Sequence, residues 1–366
     1  MSTPGDTSQP GKGELTTPEG TSVTLDKKKS IILGVIGLAF IVIIFWKVIP
    51  QIGSYSEAWD ALQSMGVMSM VAIVVAVLVY LAAYGLPFKA ATPGLGYWPS
   101  QQVNQAAFAI SNGVPGGGAI GLAVQFGMLT SYGISGTATT AAITAVGLWS
   151  TFVTLALPIM GVVALAISGE GASQYVMIGL IGLAILVAAV VIFVLIMRSE
   201  PLAAKLGNLA TKVARWLGKW IKSLATANVT AAVLKFRTDM YGLLKRRWGA
   251  ITGAQLLVSF TQFFILYVAL WGVEKADGAH TSILLVFAAF AISQLGLMVP
   301  ITPGGLGTVD AAMIGLMTAF GVSTGDATAA ALVWRASSYV PQIIIGIIAL
   351  VSWYRRAGKM LAKSSA

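Results

Sequence analysis

The sequence predicts an all-α polytopic membrane protein: an inverted-topology repeat of about six transmembrane helices and two re-entrant helical hairpins. Composition is the first reason. Of 366 residues, 57% are hydrophobic and 10% charged, and several apolar runs exceed the roughly 20 residues a helix needs to cross a bilayer. The second is a pair of breaks, Pro115-Gly116-Gly117 and Pro303-Gly304-Gly305, set inside apolar stretches. The third is the placement of the basic residues, which gather on one side of the membrane once the spans are threaded.

Net charge is +10. The Lys and Arg residues lie beside apolar segments, where topogenesis and anionic lipid explain them, so no nucleic-acid partner is expected. Cysteine is absent, which excludes disulfides and thiol chemistry.

Taken in order, residues 1–30 read as a disordered cytoplasmic tail rich in Ser, Thr, Pro and Gly. It ends in Lys27-Lys28-Lys29, before the apolar run from Ile31 to about Ile49. That run is too long for a signal-peptide core and no small-residue cleavage site follows, so it reads as the first transmembrane helix, entering from the cytoplasm. The loop 50–65 carries Glu57 and Asp60 and no Lys or Arg. A second span covers about 67–88 and ends at Lys89. Tyr97 and Trp98 then suit a membrane interface. The segment 101–132 is two short apolar helices around the first break. Its first arm of about twelve residues rises only about 18 Å, too little to cross alone. Spans at 137–167 and 175–197 complete the first membrane half, 31–197.

Residues 198–247 hold eleven Lys/Arg against Glu200 and Asp239. Leu202, Leu206, Leu209, Val213, Trp216 and Trp220 recur at helical spacing, with Lys205, Lys212, Arg215 and Lys219 interleaved. This is a basic amphipathic cytoplasmic linker lying in the interface, favoured as a connector over a dedicated lipid sensor. The second membrane half, 248–353, contains a span at 248–271, the segment 282–320 around the second break, and a last span at 327–353. A basic cytoplasmic tail, 354–366, closes the chain.

The halves are related in sequence. An offset of 188 sets Pro303-Gly304-Gly305 on Pro115-Gly116-Gly117, Ala311 on Ala123, Gly315 on Gly127, Thr318 on Thr130 and Ser323 on Ser135. Upstream, Ala106-Ala107-Phe108-Ala109-Ile110-Ser111 recurs as Ala288-Ala289-Phe290-Ala291-Ile292-Ser293, with six extra residues before the second break. The first copy is entered after Lys89, from the cytoplasm, and the second after the acidic loop 273–279, from outside. With each helix–break–helix unit returning to the side it came from, 20 of the 23 Lys/Arg are cytoplasmic. The expected location is the plasma (inner) membrane, multi-pass, with both termini cytoplasmic. Inverted repeats with broken helices usually hold a substrate site near the midplane, which points to a transporter.

Two formal charges lie deep in apolar regions: Asp310, after the second break, and Arg335, in the last span. Each costs about 2.5–3.5 kcal/mol at a helix centre on insertion scales, so they are expected to pair. The pair either locks the last helix to the hairpin or serves the substrate, and its place beside a broken helix favours the second. The expected substrate-binding set is Asp310, Arg335, Pro303, Gly304, Gly305 and Gly307, with Pro115, Gly116, Gly117 and Gln125 from the first copy. The repeat places Leu122 and Gly147 opposite Asp310 and Arg335. Gln125, Asn112, Gln262 and Gln294 either line the same cavity or make interhelical hydrogen bonds. Trp334 and Tyr339 are expected to pack or face lipid. No metal or cofactor is expected, and no acid pair, ligand cluster or nucleophile–base spacing indicates catalysis. The one histidine, His280, reads as interfacial.

The run from Thr302 to Asp310, followed by Gly321-Val322, Arg335 and Pro341, resembles the transmembrane (flippase-like) domain of lysylphosphatidylglycerol synthases. That pattern is a Pro-Gly-Gly-Leu-Gly turn, an acid soon after, then an arginine and a proline in the last helix. The acid here is Asp310, where Glu is more usual. The resemblance covers essentially 31–353, and no aminoacyl-transfer domain follows, so it is to a stand-alone member without the synthase domain. It implies a lipid transporter or flippase moving an anionic or phosphate-bearing lipid, either phospholipid or polyprenyl-phosphate-linked glycan, between leaflets. The partners implied are membrane lipids, anionic head groups and envelope-biosynthesis enzymes. The alternative is a membrane glycosyltransferase, or a protein associated with one, using lipid-phosphate sugars. It would need an acid among Glu170, Glu274, Asp277 and Asp326.

Overall fold

The structure, a computed structural model, describes residues 15–16, 22–23, 59–60, 63–113, 117–169, 173–217, 229–274, 280–298 and 303–364. The span predicted at 31–49, Lys27-Lys28-Lys29, Pro115, Gly116, Glu170, Trp220, Asp277 and the turn 300–302 lie outside these residues. A two-residue antiparallel ladder joins Leu15–Thr16 to Ser22–Val23. All other regular structure among the described residues is helical.

The chain forms α1 (Val67–Tyr84), α2 (Leu86–Ala91), α3 (Tyr97–Gly113), α4 (Gly117–Ser131), α5 (Gly136–Ser168) and α6 (Ser173–Arg198). It continues as α7 (Glu200–Leu217), α8 (Val229–Glu274), α9 (Ile283–Ser293), α10 (Thr308–Ala319) and α11 (Thr324–Ser364). Among the described residues, four helices are long and apolar enough to cross a membrane: Val67–Ala91, Gly136–Ser168, Arg246–Glu274 and Thr324–Arg355. These coincide with four predicted spans, and the segment predicted at 175–197 is the helix α6. Large apolar side chains stay exposed along these helices, including Val67, Val71, Val74 and Leu78 on α1 and Ile344, Ile347 and Ile348 on α11. Such surfaces suit lipid, which asks only that backbone groups be satisfied within the helix.

Packing follows from small residues. Gly117 sits against the backbone of Ile110, and Gly121 against Ser111, so the arms of the first helix–break–helix unit lie along one another. The second unit closes likewise, with Gly296 against Thr308 and Val309. Each first arm then packs on the long helix that follows the other unit: α3 on α11, and α9 on α5. A glycine marks both crossings. Gly161 of α5 meets Ala288, Ala291 and Ile292, and Gly346 of α11 meets Gln105 and Ala109. Ala109 and Ala291 occupy corresponding places in the repeated block.

The core joins these pieces around α8. Ile265, Leu266 and Ala269 of α8 are buried with Ala289, Phe290 and Ala291 of α9, Met313 of α10 and Trp334 of α11. Polar bonds reinforce the joints: Trp149 Nε1 donates to Thr252 Oγ1 (2.6 Å), Gln255 Nε2 to Val146 O (3.0 Å) and Trp334 Nε1 to Gln262 O (3.1 Å).

The linker differs in form from the sequence expectation. Its second part is continuous with the following span as α8, so the boundary set at 247 and 248 falls inside one helix. Its first part, α7, turns small residues (Ala203, Gly207, Thr211, Ala214) toward α8, where Thr230 N and Oγ1 meet Thr211 Oγ1. Leu202, Leu209, Val213 and Trp216 remain exposed.

Candidate functional site

The second break builds the site. After α9 the chain tightens into a 3-10 turn, Gln294–Met298, and a second short turn at Pro303–Gly305 precedes α10. Gly304, Gly305 and Gly307 hold φ of 61°, 66° and 85°, a region other residues enter only at a cost. This left-handed run lets the chain reverse and start α10 with Asp310 in its first turn. There Asp310 Oδ2 accepts from Gly307 N (2.8 Å), an acid at a helix N-terminus satisfying a donor with no intrahelical partner.

Asp310 and Arg335, expected to pair, do so. Arg335 Nε donates to Asp310 Oδ1 at 2.7 Å, with the residues 3% and 6% exposed. Arg335 Nη1 donates to Gly304 O (3.3 Å), and Tyr339 Oη donates to the same carbonyl (2.9 Å). The guanidinium lies 4.7 Å from the Trp334 ring centroid and 4.8 Å from that of Tyr339. Both oxygens of Asp310 and two nitrogens of Arg335 are therefore engaged, while Arg335 Nη2 is buried without a partner among the described residues.

Arg335 lines a cavity of about 440 Å³. Asn104, Phe108, Asn112, Leu122 and Gln125 come to it from the first unit, and Gln294, Leu297, Gly304 and Val309 from the second. Gly147, Ser150 and Thr154 of α5 and Gln255, Ser259 and Gln262 of α8 complete its sides. The end of α3 meets the second break here: a Cβ added to Gly304 would stand 1.6 Å from Tyr339 Oη and 2.7 Å from Asn112 Oδ1.

Of the predicted site residues, Gln125, Gly304 and Arg335 line the cavity, and Asn112, Gln262 and Gln294 join them. Leu122 and Gly147, the repeat counterparts of the charged pair, are on its wall as well. Asp310, Gly305 and Gly307 hold the turn behind it, and Gly117 packs between the arms of the first unit. Pro115 and Gly116 lie outside the described residues, and Pro303 opens the short turn.

Trp334 packs in the core as expected, and it and Tyr339 also flank the arginine. A chain of edge-to-face rings, Tyr80–Tyr84–Phe108–Tyr339, runs along the cavity wall, with centroids 5.7, 5.7 and 5.2 Å apart. Tyr80 Oη also donates to Gln342 Oε1 (2.9 Å). Sequence reasoning missed Tyr80, Tyr84 and Phe108. Their signal was position, since tyrosines four apart in mid-span are away from the interfaces where such rings usually sit.

A second depression, of about 860 Å³, adjoins this cavity. Trp149, Phe152, Met160, Phe193, Trp248 and Leu256 give it an apolar lining, with Arg198 and Tyr241. Val153 of α5 lines both spaces.

These features define a class: a multi-pass helical membrane protein with an arginine-bearing cavity of mixed polar and apolar lining between two broken-helix units. The family follows from comparison. The chain matches the lysylphosphatidylglycerol synthase TM region over residues 34–346, and it belongs to that family. It is 27% identical over 175 residues to a UPF0104 membrane protein of Methanothermobacter thermautotrophicus, covering 46% of this chain and 51% of the relative. It is 26% identical over 155 residues to another from Methanocaldococcus jannaschii, covering 42% and 46%. The chain thus spans about half the length of these curated relatives.

Proposed function

We propose that the protein moves a lipid with a phosphate-bearing head group between leaflets, as a flippase or scramblase-like transporter. The observation that carries this is Arg335, a buried cation on the cavity wall whose Nη2 has no partner among the described residues. Asp310 and Gly304 hold the other two nitrogens and so fix the fork, which suits a phosphate oxygen. Trp334 and Tyr339 keep its plane.

Two further features support the reading. The adjoining apolar groove gives an amphiphile a place for its chains beside a place for its head. The exchanged packing, α3 on α11 and α9 on α5 with a glycine at each crossing, supports the inverted repeat of six spans and two re-entrant hairpins. In this arrangement the protein lies in the plasma (inner) membrane with both termini and the basic linker cytoplasmic. The exposed apolar stripe of α7 rests on that surface.

Transport is favoured over glycosyl transfer by the state of the available acids. Glu274 is buried and accepts from Thr281 N (3.0 Å) and Thr281 Oγ1, and Asp326 accepts from Ser323 Oγ (2.7 Å) at the start of α11. Both are caps.

The test is reconstitution in liposomes with lipids fluorescent on an acyl chain, read by bleaching of the outer leaflet. Wild type is expected to translocate an anionic phospholipid and Arg335→Ala to lose this while retaining its melting behaviour. Undiminished translocation by the variant removes Arg335 from the site.

A further inference from the structure

Resting on the transport reading above, we infer that the seam between α5 and α8 at Val153 is a lateral portal. A phospholipid enters the cavity from the bilayer there and leaves its acyl chains in the apolar groove. Each helix turns two adjoining stripes to the two spaces. On α5, Gly147, Ser150 and Thr154 line the cavity, while Trp149, Phe152 and Ala156 line the groove. On α8, Gln255, Ser259 and Gln262 face the cavity, while Thr252 and Leu256 face the groove. Val153 lies where the α5 stripes meet and lines both spaces. At 6% exposure it closes the wall, and the wall there is one side chain thick.

The chemistry of the groove names its occupant. Its floor is a cluster of three rings, Trp149, Phe152 and Phe193, with centroids 5.8, 5.6 and 5.5 Å apart. Such a surface takes hydrocarbon. Arg198 also lines it, is exposed, and makes no ion pair among the described residues. The acid two residues on, Glu200, is paired with Arg237 (3.6 Å). A hydrocarbon floor with a free cation complements a phospholipid, whose phosphate sits where its chains begin. The seam also has the means to part. Trp149 Nε1 to Thr252 Oγ1 and Gln255 Nε2 to Val146 O both clasp α5 to α8 before Val153. Beyond it, Pro158 lies inside α5. Thr154 O therefore has no amide four residues on to bond, and the helix has a point at which to bend. Val153 stands between the clasp and the hinge.

The experiment uses purified full-length protein and two readouts. The first is translocation, in phosphatidylcholine vesicles, of a phospholipid fluorescent on an acyl chain. Val153→Trp is expected to slow it about tenfold or more, as is Ala156→Trp should the buried site not accept the ring. Leu78→Trp, on the exposed face of α1, should stay within about twofold of wild type. The second readout is photo-crosslinking, which needs no transport. The vesicles carry a phospholipid with a diazirine near the start of one acyl chain, and adducts are mapped by mass spectrometry. Wild type should carry adducts on the groove and also on Ser150, Thr154 or Ser259 behind the seam, and the blocked variant should lose those behind it. Undiminished transport in the blocked variant, an equal loss in Leu78→Trp, or adducts that persist behind the blocked seam overturns the portal and leaves transport standing. Movement of no lipid by wild type overturns transport. The portal then stands if adducts behind the seam form and are lost on blocking, and falls if they do not form.

Discussion

Arg335 and Asp310 are joined at 2.7 Å inside the protein, the arginine from the first third of α11 and the acid from the first turn after the break. The pair therefore fastens the last long helix to the broken unit and engages Nε of a guanidinium whose residue lines the cavity. On the proposed reading the side chain both locks and binds, and the two roles separate by mutation. Asp310→Asn should cost about 3–5 kcal/mol, because it leaves a buried arginine unpaired. The double variant Asp310→Asn/Arg335→Gln removes both charges and should recover most of that stability, but no transport. Melting of the three proteins in detergent, with vesicle assays alongside, tests this. Restored transport in the double variant would assign the pair to structure alone.

Gly304 is required twice, once for its φ of 61° and once for the space its missing Cβ leaves to Tyr339 and Asn112. Gly94 provides a comparison, with φ of 86° and nothing within 4 Å of an added Cβ. Gly94→Ala should cost about 1 kcal/mol, from the left-handed backbone alone. Gly304→Ala should cost visibly more, and should abolish transport by displacing the Tyr339 ring. Equal melting shifts for the two variants would mean that the close approach of Gly304 to Tyr339 and Asn112 is dispensable.

Tyr339 acts through both its hydroxyl and its ring. Tyr339→Phe deletes the bond to Gly304 O but keeps the ring over Arg335, with a loss of about 1 kcal/mol, or roughly fivefold in rate. Tyr339→Leu also removes the cation–π contact, worth about 0.5–2 kcal/mol more. The predicted order of transport rate is wild type, Phe, Leu. A Phe variant as slow as Leu would place the whole effect in the hydroxyl.

The parts of the site visible in the sequence were those that violate the chemistry of a membrane helix. A charge in an apolar run and a Pro-Gly-Gly break stand out because each is expensive there, and so Asp310, Arg335 and the two breaks were legible. Trp334, Tyr339, Tyr80, Tyr84 and Phe108 were not, since an aromatic among aliphatics reads as packing until the fold brings it beside a guanidinium. Gly161 and Gly346 were hidden among 41 glycines. Only the crossing helices show which of them admit a neighbour. The continuity of α8 through the linker boundary was missed because a change in composition from basic to apolar is not a helix breaker. Nothing between Val229 and Trp248 stops the backbone from continuing.

The exchanged packing of the two units is open to cross-linking, since the natural chain has no cysteine to interfere. A Cβ at Gly346 would stand 2.6 Å from Ala109 Cβ, and one at Gly161 would stand 3.0 Å from Ala291 Cβ. Both are shorter than the roughly 3.8 Å that a disulfide favours, and the Gly346 pair also needs α3 and α11 to part, because its Cβ would stand 2.2 Å from Gln105 O. Ala109→Cys/Gly346→Cys and Gly161→Cys/Ala291→Cys should each oxidise to an intramolecular bond, while the mixed pair Ala109→Cys/Gly161→Cys should not. Bonding in the mixed pair, or in neither matched pair, would refute the exchange.

Orientation follows from the same absence of cysteine. In the inverted arrangement Trp98 and Thr137, which flank the first unit, face the cytoplasm, while His280, which precedes the second, faces outward. All three are exposed, so each accepts a cysteine without opening the core. In intact cells a membrane-impermeant maleimide should label His280→Cys and spare Trp98→Cys and Thr137→Cys until the membrane is permeabilised. The parity is constrained because a re-entrant unit returns the chain to its starting side, so Trp98 and Thr137 must agree. Opposite labelling of those two would mean that the first unit crosses the membrane. The twofold logic that brings Leu122 and Gly147 to the same cavity as Arg335 would then fail with it.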